Sequence, residues 1–185
     1  EDMHPGINGP KYKDKPAIIM AGSGDVITHQ QLNELSNQGA QLFRSLGLKP
    51  GDSLAFMMEN HKLFFPIAFA AYRSGLKYTA ISWRLQASEV EYIVKDCGAK
   101  VFITSKFLEE SAKSLANSLE GIHKYMLDGI TDDFKSYEKE IDNMPVTPIE
   151  DECQGAAMLY SSGTTGKPKG VSLSLIHISE PTRRM

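Results

Sequence analysis

The stretch Gly155 to Val171, GAAMLYSSGTTGKPKGV, sets two chemistries end to end. Ala156 to Tyr160 is an apolar run of strand length, able to form a buried strand. It leads straight into Ser161-Ser162-Gly163-Thr164-Thr165-Gly166-Lys167-Pro168-Lys169-Gly170. Small residues let a backbone turn tightly and bring its N–H groups close to a ligand. Successive N–H groups in such a turn form a nest for anions. Hydroxyls on Ser161, Ser162, Thr164 and Thr165 add donors, and Lys167 and Lys169 add positive charge. Nothing in the loop is apolar enough to pack. A lone glycine-rich stretch reads as a flexible polar loop, but an unbroken run of this composition after a strand suits phosphate oxygens. A Walker A loop is excluded. Ser161 stands where that motif needs its first glycine, and Pro168, which lacks an N–H, follows Lys167 where it needs Ser or Thr.

Upstream, short apolar runs alternate with helical spacing. Pro16 to Met20 and Val26-Ile27 flank a turn at Ser23-Gly24-Asp25. Thr28 with Gln31 is a capping box, opening a helix with Leu32, Leu35, Leu42, Phe43 and Leu46 at helical spacing and Gly47 at its close. A turn at Lys49 to Asp52 enters a strand at Leu54 to Met57, and a helix from about Lys62 to Ser74 ends at Gly75. Tyr78 to Ile81 is the next strand. Ser88 with Glu91 predicts a second capping box, for a helix carrying Val90, Ile93 and Val94 and ended by Gly98. Val101 to Thr104 reads as a strand, Leu108 to Leu119 as helical, Tyr125 to Leu127 as a strand and Phe134 to Ile141 as a short helix. Met144 to Asp151, with two prolines, reads as a linker. This alternation predicts an α/β fold with a mostly parallel sheet flanked by helices.

Composition narrows the function classes. At 185 residues the chain is long enough for one good core. Its net charge of -3 gives no electrostatic footprint for nucleic acid or an anionic membrane. The longest nearly apolar run, Phe64 to Tyr72, is too short to span a bilayer and contains Pro66. No secretory signal opens the chain. Cys97 and Cys153 lack metal-ligand spacing; a disulfide between them stays open, but free thiols in a reducing compartment are the commoner state, and a cytoplasmic location follows.

Other residues carry less. His29 and His61 read as polar surface positions near helix starts, and no histidine has a second ligand at metal spacing, so no metal site is assigned. Trp83 and Tyr78 read as core aromatics rather than ligand contacts. Glu138, Glu140 and Asp142 read as a solvated helix face, and Cys97 as a packed thiol rather than a nucleophile.

YSSGTTGKPKGV is similar to the signature loop of the adenylate-forming (AMP-binding) superfamily: acyl-CoA synthetases, luciferases and the adenylation domains of peptide synthetases. Lys15-Pro16-Ala17-Ile18, Ile27-Thr28-His29 with Leu32, Leu46 to Asp52, and Arg84-Leu85 with Glu89, Tyr92, Ile93, Asp96, Gly98 and Ala99 resemble other parts of the same family. The resemblance covers roughly residues 5 to 171. It implies an incomplete N-terminal domain of an adenylate-forming enzyme over residues 1–172. It implies two steps: a carboxylate attacks the α-phosphate of Mg-ATP to give an acyl-adenylate and pyrophosphate, then a thiol, usually of coenzyme A, takes the acyl group and releases AMP. Ser161, Ser162, Gly163, Thr164, Thr165, Gly166, Lys167, Lys169 and Gly170 would hold ATP phosphates, with Mg2+ and coenzyme A as the other cofactors. MLYSSGTTG and Tyr78 to Trp83 look most like fatty-acyl-CoA synthetases, which makes a fatty acid the expected substrate.

After Val171 the resemblance stops. The family's adenine pocket, Mg-coordinating acid, ribose-binding Asp, hinge and distal catalytic Lys are expected beyond this chain, so no catalytic residue is assigned within it. The fragment itself is expected to be inactive. Residues 173–185 resemble the in-frame translation of a transposase-type sequencing adapter, with Ser172 or Leu173 as the first foreign residue. The rival reading is a free-standing nucleotide- or phosphate-binding module without catalysis.

Overall fold

Parallel neighbours need a crossover long enough to return the chain to the same sheet end, and helices on the sheet faces supply it. The computed structural model, which describes residues 4–161 and 169–172, is built on that plan. Its elements run α1 (Pro5–Tyr12), β1 (Pro16–Ile19), β2 (Val26–Thr28), α2 (His29–Ser45), β3 (Ser53–Met57), α3 (Phe64–Arg73), β4 (Lys77–Ile81), α4 (Ala87–Asp96), β5 (Ala99–Ser105), α5 (Glu109–Leu115), β6 (His123–Leu127), β7 (Lys135–Ser136), α6 (Tyr137–Asp142), β8 (Ala156–Ser161) and β9 (Lys169–Ser172). β1 and β2 form an antiparallel hairpin. The main sheet has the order β7-β6-β5-β3-β4-β8-β9 and is parallel except for the last pair. The chain winds from β3 to β4 on one side, then reverses to β5 on the other. That reversal makes a topological switch point, where ligand sites of such sheets lie at the carboxyl ends of the strands.

The period of two along a strand sends alternate side chains to opposite faces. Leu54 and Phe56 of β3 join one core with α2, α3 and α6, while Ala55 and Met57 join the other with α4 and α5. Both faces are covered, so all of β3 is buried. The α2–α3 crossing is close because Gly39 faces Ala70: a Cβ on Gly39 would sit 2.7 Å from the Ala70 Cβ.

The predicted box at the start of α2 is present: Thr28 Oγ1 accepts from Gln31 N–H at 3.2 Å, and Thr28 N–H donates to Gln31 Oε1 at 2.9 Å. The second box is displaced. Gln86 and not Ser88 caps α4, with Gln86 N–H donating to Glu89 Oε2 at 2.9 Å. The turn from Ser82 to Leu85 delivers Gln86 in extended form, so Ser88 is already helical and Glu91 pairs one turn on with Lys95. The helical spacing of Leu108 to Leu119 is real but less regular than predicted: a 3-10 turn precedes α5, which ends at Leu115, and single turns carry Leu119 into the core. Phe134 to Ile141 splits, because Lys135 and Ser136 pair with β6 and Ser136 then caps α6.

The expected linker, Met144 to Asp151, is instead a strap fixed to α2. Asn37 Nδ2 donates to Val146 O at 2.6 Å, Gln41 Nε2 to Thr147 O at 3.0 Å, and Arg44 Nε to Asp151 Oδ1 at 2.9 Å. Its prolines exclude regular structure, but its carbonyls find side-chain donors. Helix α1, which has no signal in the apolar pattern, starts at Pro5 behind His4, whose ring accepts from Gly6 N–H at 3.1 Å. Among the described residues no helix is long and apolar enough to cross a membrane. The expected foreign tail, residues 173–185, lies outside the described residues.

Candidate functional site

The strand that precedes the glycine-rich segment is placed by Gly155. A Cβ there would collide with the Leu76 carbonyl oxygen and lie 2.9 Å from Leu76 N and 3.0 Å from Tyr72 O, all backbone atoms. The bare backbone therefore passes tight against the turn between α3 and β4. Gly155 N–H donates to Tyr72 O at 2.6 Å and Ala156 N–H to Leu76 O at 3.0 Å.

β8 then pairs with β4 through Lys77↔Ala156 and Tyr78↔Ala157 alone. Beyond Ala157 its partner is β9, with Met158↔Ser172, Leu159↔Val171, Tyr160↔Gly170 and Ser161↔Lys169. Where β4 and β8 part, a cavity of about 310 Å³ opens between Thr79 to Ser82 on one side and Tyr160 and Ser161 on the other, floored by Ile93 of α4. The apolar run is thus not a buried strand: Met158 and Tyr160 pack on the core, while Leu159 is 51% exposed. Among the described residues it lies at the margin of the parallel sheet, next to β9 rather than a further parallel strand.

Of the nine residues assigned from sequence, Ser161, Lys169 and Gly170 are described; Ser162, Gly163, Thr164, Thr165, Gly166 and Lys167 lie outside the described residues. The structure brings the first three together. Ser161 and Lys169 face each other across the two strands at the carboxyl end of β8, both exposed. Gly170 lies under the Tyr160 ring: a Cβ there would meet Tyr160 Cζ at 3.0 Å and its hydroxyl at 3.1 Å. None of the ion pairs among the described residues engages Lys169. The register thus sets a hydroxyl-bearing and an ammonium-bearing residue opposite each other at the strand end.

Sequence reading misses the support of this strand end. Tyr160 Oη donates to Asp96 Oδ2 at 2.6 Å, reaching the last turn of α4. Burial, then that hydrogen bond, pushes the Tyr160 hydroxyl well above the usual phenol range. No local pattern signals a contact spanning 64 residues.

Elsewhere the expectations divide. Trp83 is not core: it is 41% exposed, edge-on to Phe107 at 6.0 Å with the Arg84 guanidinium 5.2 Å from its ring, because it follows the end of β4 instead of lying within it. Tyr78 packs against the first core, as expected. His61 is not a solvated ring: only 8% of its side chain is exposed, Nδ1 accepts from Leu63 N–H at 3.1 Å, and Nε2–H therefore donates to Asp128 at 3.0 Å. Cys97 is buried, and burial raises its thiol; Cys153 is exposed, and the two are not bridged. Among the described residues no group of three or more His, Cys, Asp or Glu is placed to hold a metal ion. A larger cavity, about 560 Å³, lies beside α3 against Phe65, Phe69 and Tyr72 and ends at the Arg73–Glu152 ion pair; none of Ser161, Lys169 and Gly170 lines it.

The AMP-binding enzyme family matches the chain over residues 8–181. A fatty acid–[acyl-carrier-protein] ligase, ScoC, of Streptomyces coeruleorubidus is 30% identical over 167 residues, covering 86% of this chain and 30% of that protein. A feruloyl-CoA synthase of an Amycolatopsis species is 30% identical over 159 residues, covering 85% of this chain and 30% of that protein. Among solved structures, a Mycobacterium tuberculosis fatty acyl CoA synthetase superposes with a TM-score of 0.76 at 24% identity, covering 92% of this chain and 34% of the other; this likeness shows the fold. The chain spans 30% of the length of both curated relatives. A strand that exits a mostly parallel sheet into a Ser/Thr/Gly/Lys segment, together with a family match across nearly the whole chain, places this protein in the AMP-binding enzyme family of adenylate-forming ligases.

Proposed function

We propose that this chain is the N-terminal portion of an ATP-dependent acyl-CoA synthetase acting on a fatty acid, and that the assigned set from Ser161 to Gly170 holds the phosphates of ATP. The observation that carries the reading is the Ser161↔Lys169 register at the carboxyl end of β8. Ser162, Gly163, Thr164, Thr165, Gly166 and Lys167 join the set on sequence grounds. In the first step a carboxylate oxygen bonds to the α-phosphorus as the bond to pyrophosphate breaks. Lys169 and the neighbouring hydroxyls then balance charge on the leaving pyrophosphate, which is electrostatic stabilisation without covalent catalysis. In the second step the thiol of coenzyme A loses its proton to solvent, its sulfur bonds to the acyl carbon, and the bond from that carbon to the AMP oxygen breaks. Mg2+ accompanies the ATP phosphates. Support for the acid class comes from the relatives, one named for a fatty acid and one for ferulate. The unbridged thiols suit a cytoplasmic setting. We assign residues 1–172 to the AMP-binding unit and residues 173–185 to a foreign tail, a boundary that the family match, running on to residue 181, does not itself mark.

The test is exchange of labelled pyrophosphate into ATP by an intact parent enzyme. Exchange that requires an added fatty acid supports the proposal. Exchange that requires an aromatic acid reassigns the substrate. Pyrophosphate binding with no exchange for any acid leaves a phosphate-binding module.

A further inference from the structure

We infer that Tyr160 and Asp96 form a clamp that positions Ser161 and Lys169, and that Tyr160 is therefore a positioning residue for phosphate binding; this inference rests on the function proposed above. The backbone of β8 is held by the parallel sheet only as far as Ala157. Tyr160 and Ser161 lie past that point, with the 310 Å³ cavity between them and the end of β4. Past Ala157 the ladder partner of β8 is β9, and a two-stranded pair is marginally stable by itself. Tyr160 acts on it twice. Its ring covers Gly170 on the opposite strand, where an added Cβ would press on the ring at 3.0 Å, and so sets the spacing of the two strands at the pair adjacent to Ser161↔Lys169. Its hydroxyl donates to Asp96 at 2.6 Å, and α4 is anchored in the core by Val90, Ile93 and Val94. The acceptor is a carboxylate, which strengthens the bond, while its exposure to solvent limits that gain. The tie runs from the last residue of α4 to the residue next to Ser161.

The experiment is residue-resolved amide hydrogen exchange on this chain, with pyrophosphate affinity measured on the same samples. Y160F removes the hydroxyl and keeps the ring; D96A removes the acceptor; D96N keeps an acceptor oxygen. The clamp predicts that amides of Ser161 and Lys169 to Val171 exchange about tenfold faster in Y160F and D96A, with little change in β3 and β5. D96N restores most of the protection, and the Y160F/D96A double variant adds nothing beyond either single change. Pyrophosphate affinity falls by a similar factor in Y160F and D96A and recovers in D96N. Unchanged exchange at these amides in both single variants overturns the clamp. Faster exchange with undiminished pyrophosphate affinity overturns the positioning role. If the unaltered chain binds no pyrophosphate, the phosphate reading and the positioning role with it fall, while exchange still decides whether the clamp exists.

Discussion

Gly155→Ala offers a quantitative test of how β8 is seated. The added methyl would collide with the Leu76 carbonyl and lie within 3.0 Å of Leu76 N and Tyr72 O, and none of these backbone atoms can rotate away. The strand entry must shift, which weakens the Gly155–Tyr72 and Ala156–Leu76 hydrogen bonds. Each contributes ~1 kcal/mol net, and overpacking a tight site adds about 1–3 kcal/mol. Loss of chain entropy in the unfolded state returns ~0.5–1 kcal/mol. The net expectation, if both bonds are lost, is a destabilisation of about 2–4.5 kcal/mol, or a fall of roughly 4–18 °C in Tm for a chain of this size. Urea denaturation should show a lower midpoint at unchanged slope. Gly22→Ala is the control, because nothing lies within 4 Å of a Cβ there, and it should be neutral or slightly stabilising. Gly155→Ala within ~0.5 kcal/mol of the parent chain, or equal to Gly22→Ala, would refute the reasoning.

Arg73 is buried and donates to Asn33 O at 3.2 Å and Ser36 Oγ at 2.8 Å, while its Nη2 makes ion-pair contact with Glu152 at 3.1 Å. Arg73→Ala should cost about 2–4 kcal/mol in urea denaturation, discounted because Glu152 is partly exposed, and Glu152→Gln should cost less. Asp52 is held below the usual carboxylate range by Lys100 and the Lys49 N–H, and Asp151 by Arg44. Depressed folded-state values give stability that is present above the unfolded value near ~3.9 and lost as pH falls through the folded one, so the urea midpoint should drop in that acid range and drop less in Asp52→Asn. At the alkaline end burial pushes Tyr125 up to about 12, so its share of stability is intact below the unfolded value near ~10 and lost as pH rises through the folded one; ultraviolet titration should show its ionisation delayed until then. A thiol reagent should modify exposed Cys153 in the native chain and reach buried Cys97 only on unfolding; rapid native reaction at Cys97 would contradict its burial.

What the sequence made legible is what short-range chemistry determines. Thr28 and Gln31 cap α2 because a hydroxyl and an amide three residues apart satisfy each other's backbone donors, and Gly47, Gly75 and Gly98 end helices at positive φ as predicted. The Ser88–Glu91 reading failed because two overlapping pairs had box spacing and the preceding turn chose Gln86. The strap over α2 was not legible, since Asn37, Gln41 and Arg44 bond to it across more than 100 residues. For the site, composition singled out the segment, and the facing of Ser161 and Lys169 came from strand register. The support from Tyr160 and Asp96 depends on how α4 packs against β8, which no local pattern encodes.

The most direct test of the central claim is a pyrophosphate titration of this chain followed through the backbone amide signals of Ser161, Lys169 and Gly170. The account predicts saturable shifts centred on these three residues, with affinity reduced at least about tenfold in Lys169→Ala. Shifts scattered over surface lysines, or saturable binding that Lys169→Ala leaves unchanged, would contradict it.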